Sequence, residues 1–271
     1  MKATLFQFLM IIIILSACKK ESTNQQSINI PSVSYIKNII ITDTTGMMIM
    51  QNTHYYDSLY RLVKISEQQY VNQDTLKVTY IFNYSITKVI LIKTISADSL
   101  YHEKITYYLN SAGLAESSNI IDYVNPSDSI LNGSDNYQYN SDGYLVSQTT
   151  TVPGGTPGTI NFHYSNMNID YLTGTPSSID TKQLFYYDGS HFNSLNTVNA
   201  GIQFLGKSCY NPLTSVKNES PAILLSTYSY TYDSMNRISS LRTNGLFGLL
   251  SYSWVTIPVG TSHEIITYTY Y

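Results

Sequence analysis

The feature that most constrains the fold is a short unit near the C-terminal end, in which alternating tyrosines run into a tight turn. Residues 228–241 read YSYTYDSMNRISSL. Successive side chains of a β-strand point to opposite faces, so we expect the three rings on one face of a sheet. Asp233 supplies the side-chain acceptor that opens such turns, and Asn236 tolerates a positive φ. The unit therefore predicts a β-hairpin.

Degenerate copies of this unit recur along the chain. The turn-opening residue is Asp or Asn and is followed by Ser in the four clearest copies, which begin their turns at Asp57, Asn110, Asn140 and Asp233. A weaker copy lies at 186–189. In the first copy Tyr60 occupies the position where Gly or Asn is favoured, so that turn is either built differently or strained.

These repeats predict an all-β fold, a large antiparallel meander of hairpins with an irregular or short-helical central insert. No capped, amphipathic helix is evident outside that insert. Four or five recognisable copies are too few to close a shell. We therefore expect an open, curved or rolled sheet, and its tyrosine-lined face is either covered by the insert or left open to a partner.

The central insert, residues 190–221, breaks the hairpin rhythm. Irregular segments on a rigid scaffold carry function more often than the scaffold does. We therefore place the candidate binding site there, and its candidate residues are Phe192, Phe204, Lys207, Tyr210 and Asn211. The alternative is that the insert only covers one face of the sheet and fills its core.

The N-terminus has the pattern of an export signal. Lys2 provides the positive start, and an apolar run from Leu5 to Leu15 is too short to span a bilayer as a mature helix. The tetrapeptide that ends in Cys18, Leu-Ser-Ala-Cys, resembles the lipobox of bacterial lipoproteins. The resemblance implies that residues 1–17 are removed as a signal peptide and that Cys18 carries a thioether-linked diacylglycerol. The alternative is an ordinary secretory signal with a chance cysteine.

The remaining boundaries follow from this assignment. Residues 18–29 are polar without apolar periodicity, which predicts a flexible tether, and residues 30–271 form a single β domain. Lipidation implies a membrane partner and an outer-membrane location. Glu21 is the only acidic residue soon after Cys18, so both the periplasmic face and the cell surface stay open.

The repeat Tyr-Asp-x-x-Asn/Gly-Arg-Ile/Leu resembles the YD repeat of Rhs-type proteins, with 232–238 the nearest copy and 56–62 the next. A lipobox, degenerate YD-like hairpins, and the segments Leu-Gly-Lys at 205–207 and Asn-Pro at 211–212 together resemble small Bacteroidota lipoproteins of unknown function. That resemblance implies family membership and brings no catalytic residues with it.

The chemistry-bearing residues form no recognisable catalytic or metal-binding motif. None of the five histidines lies at metal-ligand spacing from another His or a Cys, so we expect no metal and no other cofactor. His54 near Asp57 and His191 near Asp188 are each at most half of a site. The turn-forming role explains the aspartates of the repeats, and Cys209, the only cysteine besides Cys18, is expected to be buried.

Three hypotheses about function remain. The first is a lipid-anchored, non-catalytic binding or scaffold module for an envelope protein, a peptide or a glycan. The second is an extracytoplasmic polymer hydrolase whose acid and base are not visible in the sequence, and the third is a packing protein of the envelope without a discrete ligand. The net charge of −3 gives no electrostatic reason to expect nucleic acid.

Overall fold

The computed structural model describes residues 34–71, 74–96, 102–125, 128–175, 182–197, 199–219, 224–245 and 263–271. The predicted signal peptide (1–17), the lipidation site Cys18 and the predicted tether (18–29) lie outside the described residues.

The described chain is built almost entirely from β-strands. In order they are β1 (Ile36–Asp43), β2 (Met48–Tyr56), β3 (Leu62–Val71), β4 (Asp74–Tyr84), β5 (Lys88–Ile95), β6 (His102–Leu109), β7 (Ala115–Asn125), β8 (Asp128–Tyr139), β9 (Leu145–Thr151), β10 (Gly158–Ser165), β11 (Asn168–Thr175), β12 (Gln183–Tyr187), β13 (Leu213–Asn218), β14 (Leu224–Tyr232), β15 (Ile238–Gly245) and β16 (Glu264–Tyr270). The one 3-10 turn among the described residues occupies Gln203–Leu205. Within these ranges we find no helix of the length and apolarity needed to cross a membrane.

The strands form a closed barrel of sixteen antiparallel strands, each paired with its neighbours in sequence. The barrel closes because β1 pairs with β16, in a register that runs from Asn38 opposite Thr269 to Asp43 opposite Glu264. The chain is therefore all-β and antiparallel, as the sequence predicts, but the prediction of an open, curved or rolled sheet is wrong. Counting recognisable repeats underestimated the strands, because several hairpins lack the turn signature and still extend the sheet.

The turns of the repeat are built as predicted. Asp233 Oδ1 accepts hydrogen bonds from the backbone N–H groups of Met235 and Arg237, each at 2.9 Å. Asp57 makes the equivalent pair of bonds in the first copy. Tyr60 has a φ of 59°, the same value as Asn236, so the first turn has the same geometry despite its bulky residue. In the copy around residue 140 the acceptor is Asn140 rather than Asp142.

We predict that Asp233→Ala destabilises the barrel by about 1 kcal/mol, because two backbone donors and the Arg237 guanidinium lose their acceptor. Asp233→Asn should destabilise the barrel by only a few tenths of a kcal/mol, since Asn110 and Asn140 form the same turn in other copies. Asp142→Ala is the matched control and should be neutral. Urea unfolding of the three variants checks the order, and equal losses for Ala and Asn at position 233 would contradict it.

The inner wall of the barrel is mainly apolar but also buries charged groups such as Glu67, Asp135 and Glu264, and the outer wall is mainly polar but exposes Ile81 and Tyr108. Along most strands, buried side chains alternate with more exposed ones. The buried series includes Ile65, Val78, Val216 and Leu241, and the exposed neighbours of these residues on the outer wall include Lys64, Lys77, Lys217 and Arg242. A membrane-spanning barrel carries an apolar band on its outer face, whereas this outer wall includes the four basic residues just named.

Candidate functional site

One end of the barrel is lined by tyrosines from the last residues of the strands. Their rings pack against the apolar core. Three of the hydroxyls donate to the main-chain carbonyl at the start of the preceding strand: Tyr56 to Ile36 at 2.7 Å, Tyr84 to Leu62 at 2.9 Å and Tyr270 to Ile238 at 2.7 Å. The Tyr232 hydroxyl instead donates to Asp188 Oδ2 at 3.4 Å. The repeated tyrosine therefore supplies both a core ring and a hydrogen-bond donor where the ladder ends.

Residues 188–212, which we call the plug, connect β12 to β13 across this same end. The plug bonds to strands all round the barrel. Its carbonyls at Asn199 and Gly201 accept from Ile36 N (3.2 Å) and Leu62 N (3.1 Å), and its N–H groups at Lys207 and Tyr210 donate to Gly143 O (2.9 Å) and Met167 O (3.2 Å). The insert thus covers the tyrosine-lined face. This is one of the two arrangements that the sequence left open, the other being a face open to a partner.

Two glycines allow the plug to approach the wall this closely. Gly201 has a φ of 70°, and a β-carbon there would lie 2.7 Å from the backbone nitrogen of Leu62. Gly206 has a φ of 85°, and a β-carbon there would lie 2.8 Å from the carbonyl oxygen of Gly143. Both positions need glycine for the conformation and for the space.

Phe204 is the plug residue that enters the core most deeply among the candidate site residues. Its side chain is 4% exposed. Its ring centroid lies 5.0 Å from that of Tyr107 and 6.2 Å from that of Tyr84. Phe204 therefore holds the plug in the barrel, and its ring is not accessible to a ligand in this structure.

The other four candidate residues also lie in the plug and contact its surroundings. Phe192 and Tyr210 form an edge-to-face pair at 5.2 Å. The Asn211 side-chain oxygen accepts a hydrogen bond from Asn168 Nδ2, and the Asn211 backbone N–H donates to Asn168 Oδ1, both at 2.9 Å. Lys207 Nζ lies 5.7 Å from the centroid of the Tyr144 ring. The contacts of Asn211 and Lys207 attach the plug to the wall, and the Phe192–Tyr210 pair holds two parts of the plug together. A ligand role for the five residues stays a prediction.

The Asp188–His191 pair, which the sequence offers as half of a site, is well formed but does not make a catalytic triad. His191 Nδ1 lies 2.6 Å from Asp188 Oδ2 and 3.1 Å from the Ser190 hydroxyl. In a catalytic triad the carboxylate and the nucleophile bond to different nitrogens of the histidine ring, whereas here both lie next to Nδ1. Although partial burial opposes it, hydrogen bonds from Ser190 and His191 hold the pKa of Asp188 below its usual range.

Cys209 lies within the plug with its sulfur 3.4 Å from the Tyr187 hydroxyl. Burial raises the pKa of the thiol, which makes it a poor nucleophile at neutral pH. Across the described ranges, no three His, Cys, Asp or Glu side chains are grouped as metal ligands would be.

A cleft of about 610 Å³ opens on the outer wall next to the plugged end. It exists because β9 and β10 pair only from Gly158 opposite Thr150 to Asn161 opposite Ser147, and then diverge. The lining is mixed and mostly polar, and includes Asn140, Asn161, His163, Asp170 and Tyr171. Sequence reasoning missed this cleft, because its residues come from separate strands and share no motif.

The ring pair in the cleft is already stacked. His163 and Tyr171 lie 4.0 Å apart with an interplanar angle of 14°, and Lys182 Nζ lies 4.1 Å from the Tyr171 ring centroid. Because both neighbours cover the faces of Tyr171, the cleft offers ring edges and polar groups rather than a free stacking platform.

Comparison with known proteins gives a fold and no family. No family model and no curated protein matches this chain. Among solved structures, a porin-like protein from Bacteroides uniformis ATCC 8492 is similar, with a TM-score of 0.59 and 17% sequence identity. The match covers 87% of this chain and 98% of the other. At this identity the likeness shows the fold alone, and that fold agrees with the closed β-barrel described above.

Proposed function

We propose that this protein is a non-conducting barrel of the cell envelope, held at the outer membrane by a lipid on Cys18, which binds an envelope partner through its outer wall. The observation that carries the proposal is the polarity of that wall. A Lys or Arg on the lipid-facing side of a membrane barrel costs about 2–4 kcal/mol near the bilayer centre. Lys64, Lys77, Lys217 and Arg242 all project from the outer wall, so the barrel belongs in water.

Two further features support a binding role over transport. The interior is filled by apolar side chains such as Ile65 and Leu91 and by carboxylates, Glu67 and Asp135, that hydrogen bond to neighbouring side chains, and the plug crosses one end. A water-filled channel needs a polar, open interior. Attachment to the membrane must then come from elsewhere, and the lipobox-like sequence at Cys18 provides it.

The cleft between β9 and β10 is the best-supported binding surface. Beyond Asn161 and Ser147 the two strands separate, so an extended chain can lie between them and bond to backbone groups, as in recognition by strand addition. His163 and Asp170 add polar groups along the cleft. We infer that the partner is an extended segment of an envelope protein.

A capture experiment tests this proposal. Wild-type protein on beads is compared with Asn161→Arg, which fills the cleft, and with the control Thr231→Arg, which adds the same side chain to an exposed position on β14. We expect wild type and Thr231→Arg to retain the same envelope protein and Asn161→Arg to lose it. Retention by all three would contradict the cleft, and selective retention of a glycan instead would replace the proposed partner.

A further inference from the structure

The plugged end carries exposed apolar side chains at the tips of neighbouring turns. Four consecutive positions around this end contribute: Met235 between β14 and β15, Tyr271 after β16, Leu59 and Tyr60 between β2 and β3, and Ile86 between β4 and β5. Ile86 is 95% exposed and Leu59 is 66% exposed. We call these five residues the apolar arc.

The other side of the same end is more polar. The turn between β6 and β7 is tipped by Ser111 and Ala112, and the turn between β8 and β9 by Ser141 and Asp142. Met167, between β10 and β11, is the exposed apolar exception on that side. Grouping apolar tips on one side of the rim gives this end an amphipathic character, which is typical of a surface that meets a membrane interface.

The chain enters the barrel in the middle of the apolar arc. Tyr35 directly precedes β1, and its ring stacks on that of Tyr60, with centroids 4.8 Å apart and an interplanar angle of 7°. Residues 19–34 separate Cys18 from Tyr35, so the segment that would carry the lipid joins the barrel at this end.

Exposure alone does not select this end, because apolar residues at the opposite end are also 47–66% exposed, namely Met47, Ile130, Leu131 and Val152. The coincidence of apolar tips with the point of chain attachment selects it. We propose that the apolar arc inserts into the interfacial layer of the membrane that holds Cys18. This inference rests on the proposed lipid anchor and goes beyond it, since an anchor by itself sets no orientation.

Insertion of the arc has a consequence for the outer wall. The arc centres on β16, β1 and β2, whereas the cleft lies between β9 and β10, on the far side in strand order. A barrel that rests on the arc tilts and lifts its opposite side. The cleft would then face away from the lipid and remain open to a partner.

Depth-dependent quenching tests the orientation. The lipidated full-length chain is prepared in a Cys209→Ser background with one added cysteine, Ile86→Cys, Leu59→Cys, Ser111→Cys or Met47→Cys. Each carries a fluorescent label and is reconstituted in phosphatidylethanolamine–phosphatidylglycerol vesicles that contain brominated lipid. We expect quenching severalfold stronger at positions 86 and 59 than at 47, with 111 between them. Thermal unfolding confirms that each variant is folded.

The outcomes separate this inference from the anchor on which it rests. Protein that floats with the vesicles and shows equal, weak quenching at all four positions overturns the docking and leaves the anchor intact. Protein that does not float at all overturns both. A second arm of the experiment adds Leu59→Asn and Met235→Asn to the chain that is labelled at position 86. If quenching at position 86 is unchanged, the label alone drives insertion, and this result also overturns the proposal.

Discussion

Phe204→Ala is expected to destabilise the barrel by about 3–5 kcal/mol, the usual cost of removing a fully buried phenylalanine. The ring contacts Tyr107 and Tyr84 inside the barrel, and it comes from a plug that has little regular structure besides one 3-10 turn. Its loss leaves a cavity and removes the contacts of the plug with both rings. Urea unfolding, followed by circular dichroism, measures the change in free energy.

The matched control for this prediction is Phe192→Ala. Phe192 belongs to the same plug but is only partly buried, and the aromatic contact that it makes is with Tyr210. We expect a loss well below that of Phe204→Ala. Gly201→Ala should act like Phe204→Ala, because its β-carbon would meet the Leu62 backbone. Equal, small effects of Phe204→Ala and Phe192→Ala would show that the plug does not stabilise the barrel.

The second large effect is a pH dependence that arises from His54. Its side chain is fully buried on β2, with Nδ1 3.5 Å from the Tyr56 hydroxyl and Nε2 without a hydrogen-bond partner among the described residues. Burial lowers the pKa of His54 to about 4 from 6.5. In the unfolded chain the imidazole takes up a proton near pH 6.5, whereas in the folded chain it stays neutral until about pH 4.

The sign of the effect follows from this difference. Between pH 6.5 and 4 the unfolded state binds more protons, so stability is full above pH 6.5 and falls as the pH is lowered. The total loss amounts to roughly 3 kcal/mol. The His54→Leu variant lacks this pH-dependent contribution. The difference between its free energy of unfolding and that of the wild type should therefore change steadily between pH 6.5 and 4. Unfolding free energies at half-unit intervals check this, and a pH-independent difference would contradict a neutral, buried His54.

Local features of the fold were readable from the sequence because they depend on residues close together in the chain. Asp57 and Asp233 hydrogen bond to N–H groups two and four residues away, so their role follows from spacing alone. The sequence left open whether the turn at Tyr60 is built differently or is strained. The structure shows the same turn with a positive φ at Tyr60, and stacking on Tyr35 gives the ring a partner.

Closure of the barrel could not be predicted in the same way. It depends on pairing between β1 and β16, where Asn38 meets Thr269, and neither strand carries a signal for a partner so distant in sequence. The predicted insert at 190–221 is irregular up to 212, but its last part forms strand β13 (Leu213–Asn218). The position of the irregular part across the barrel depends on Gly201 and Gly206, whose importance is clear only beside Leu62 and Gly143. The cleft was missed because strand divergence leaves no local pattern.

The most direct test of the account is the behaviour of the chain without its predicted anchor. Residues 1–18 are replaced by an ordinary secretory signal, so that the mature protein begins at Lys19. Since Lys64, Lys77, Lys217 and Arg242 project from the outer wall, we predict a folded barrel that is soluble in the periplasm without detergent and that unfolds at the same temperature as the lipidated protein. Recovery of this variant in carbonate-washed membranes, soluble only in detergent, would show that the strands themselves lie in the bilayer and would contradict the account.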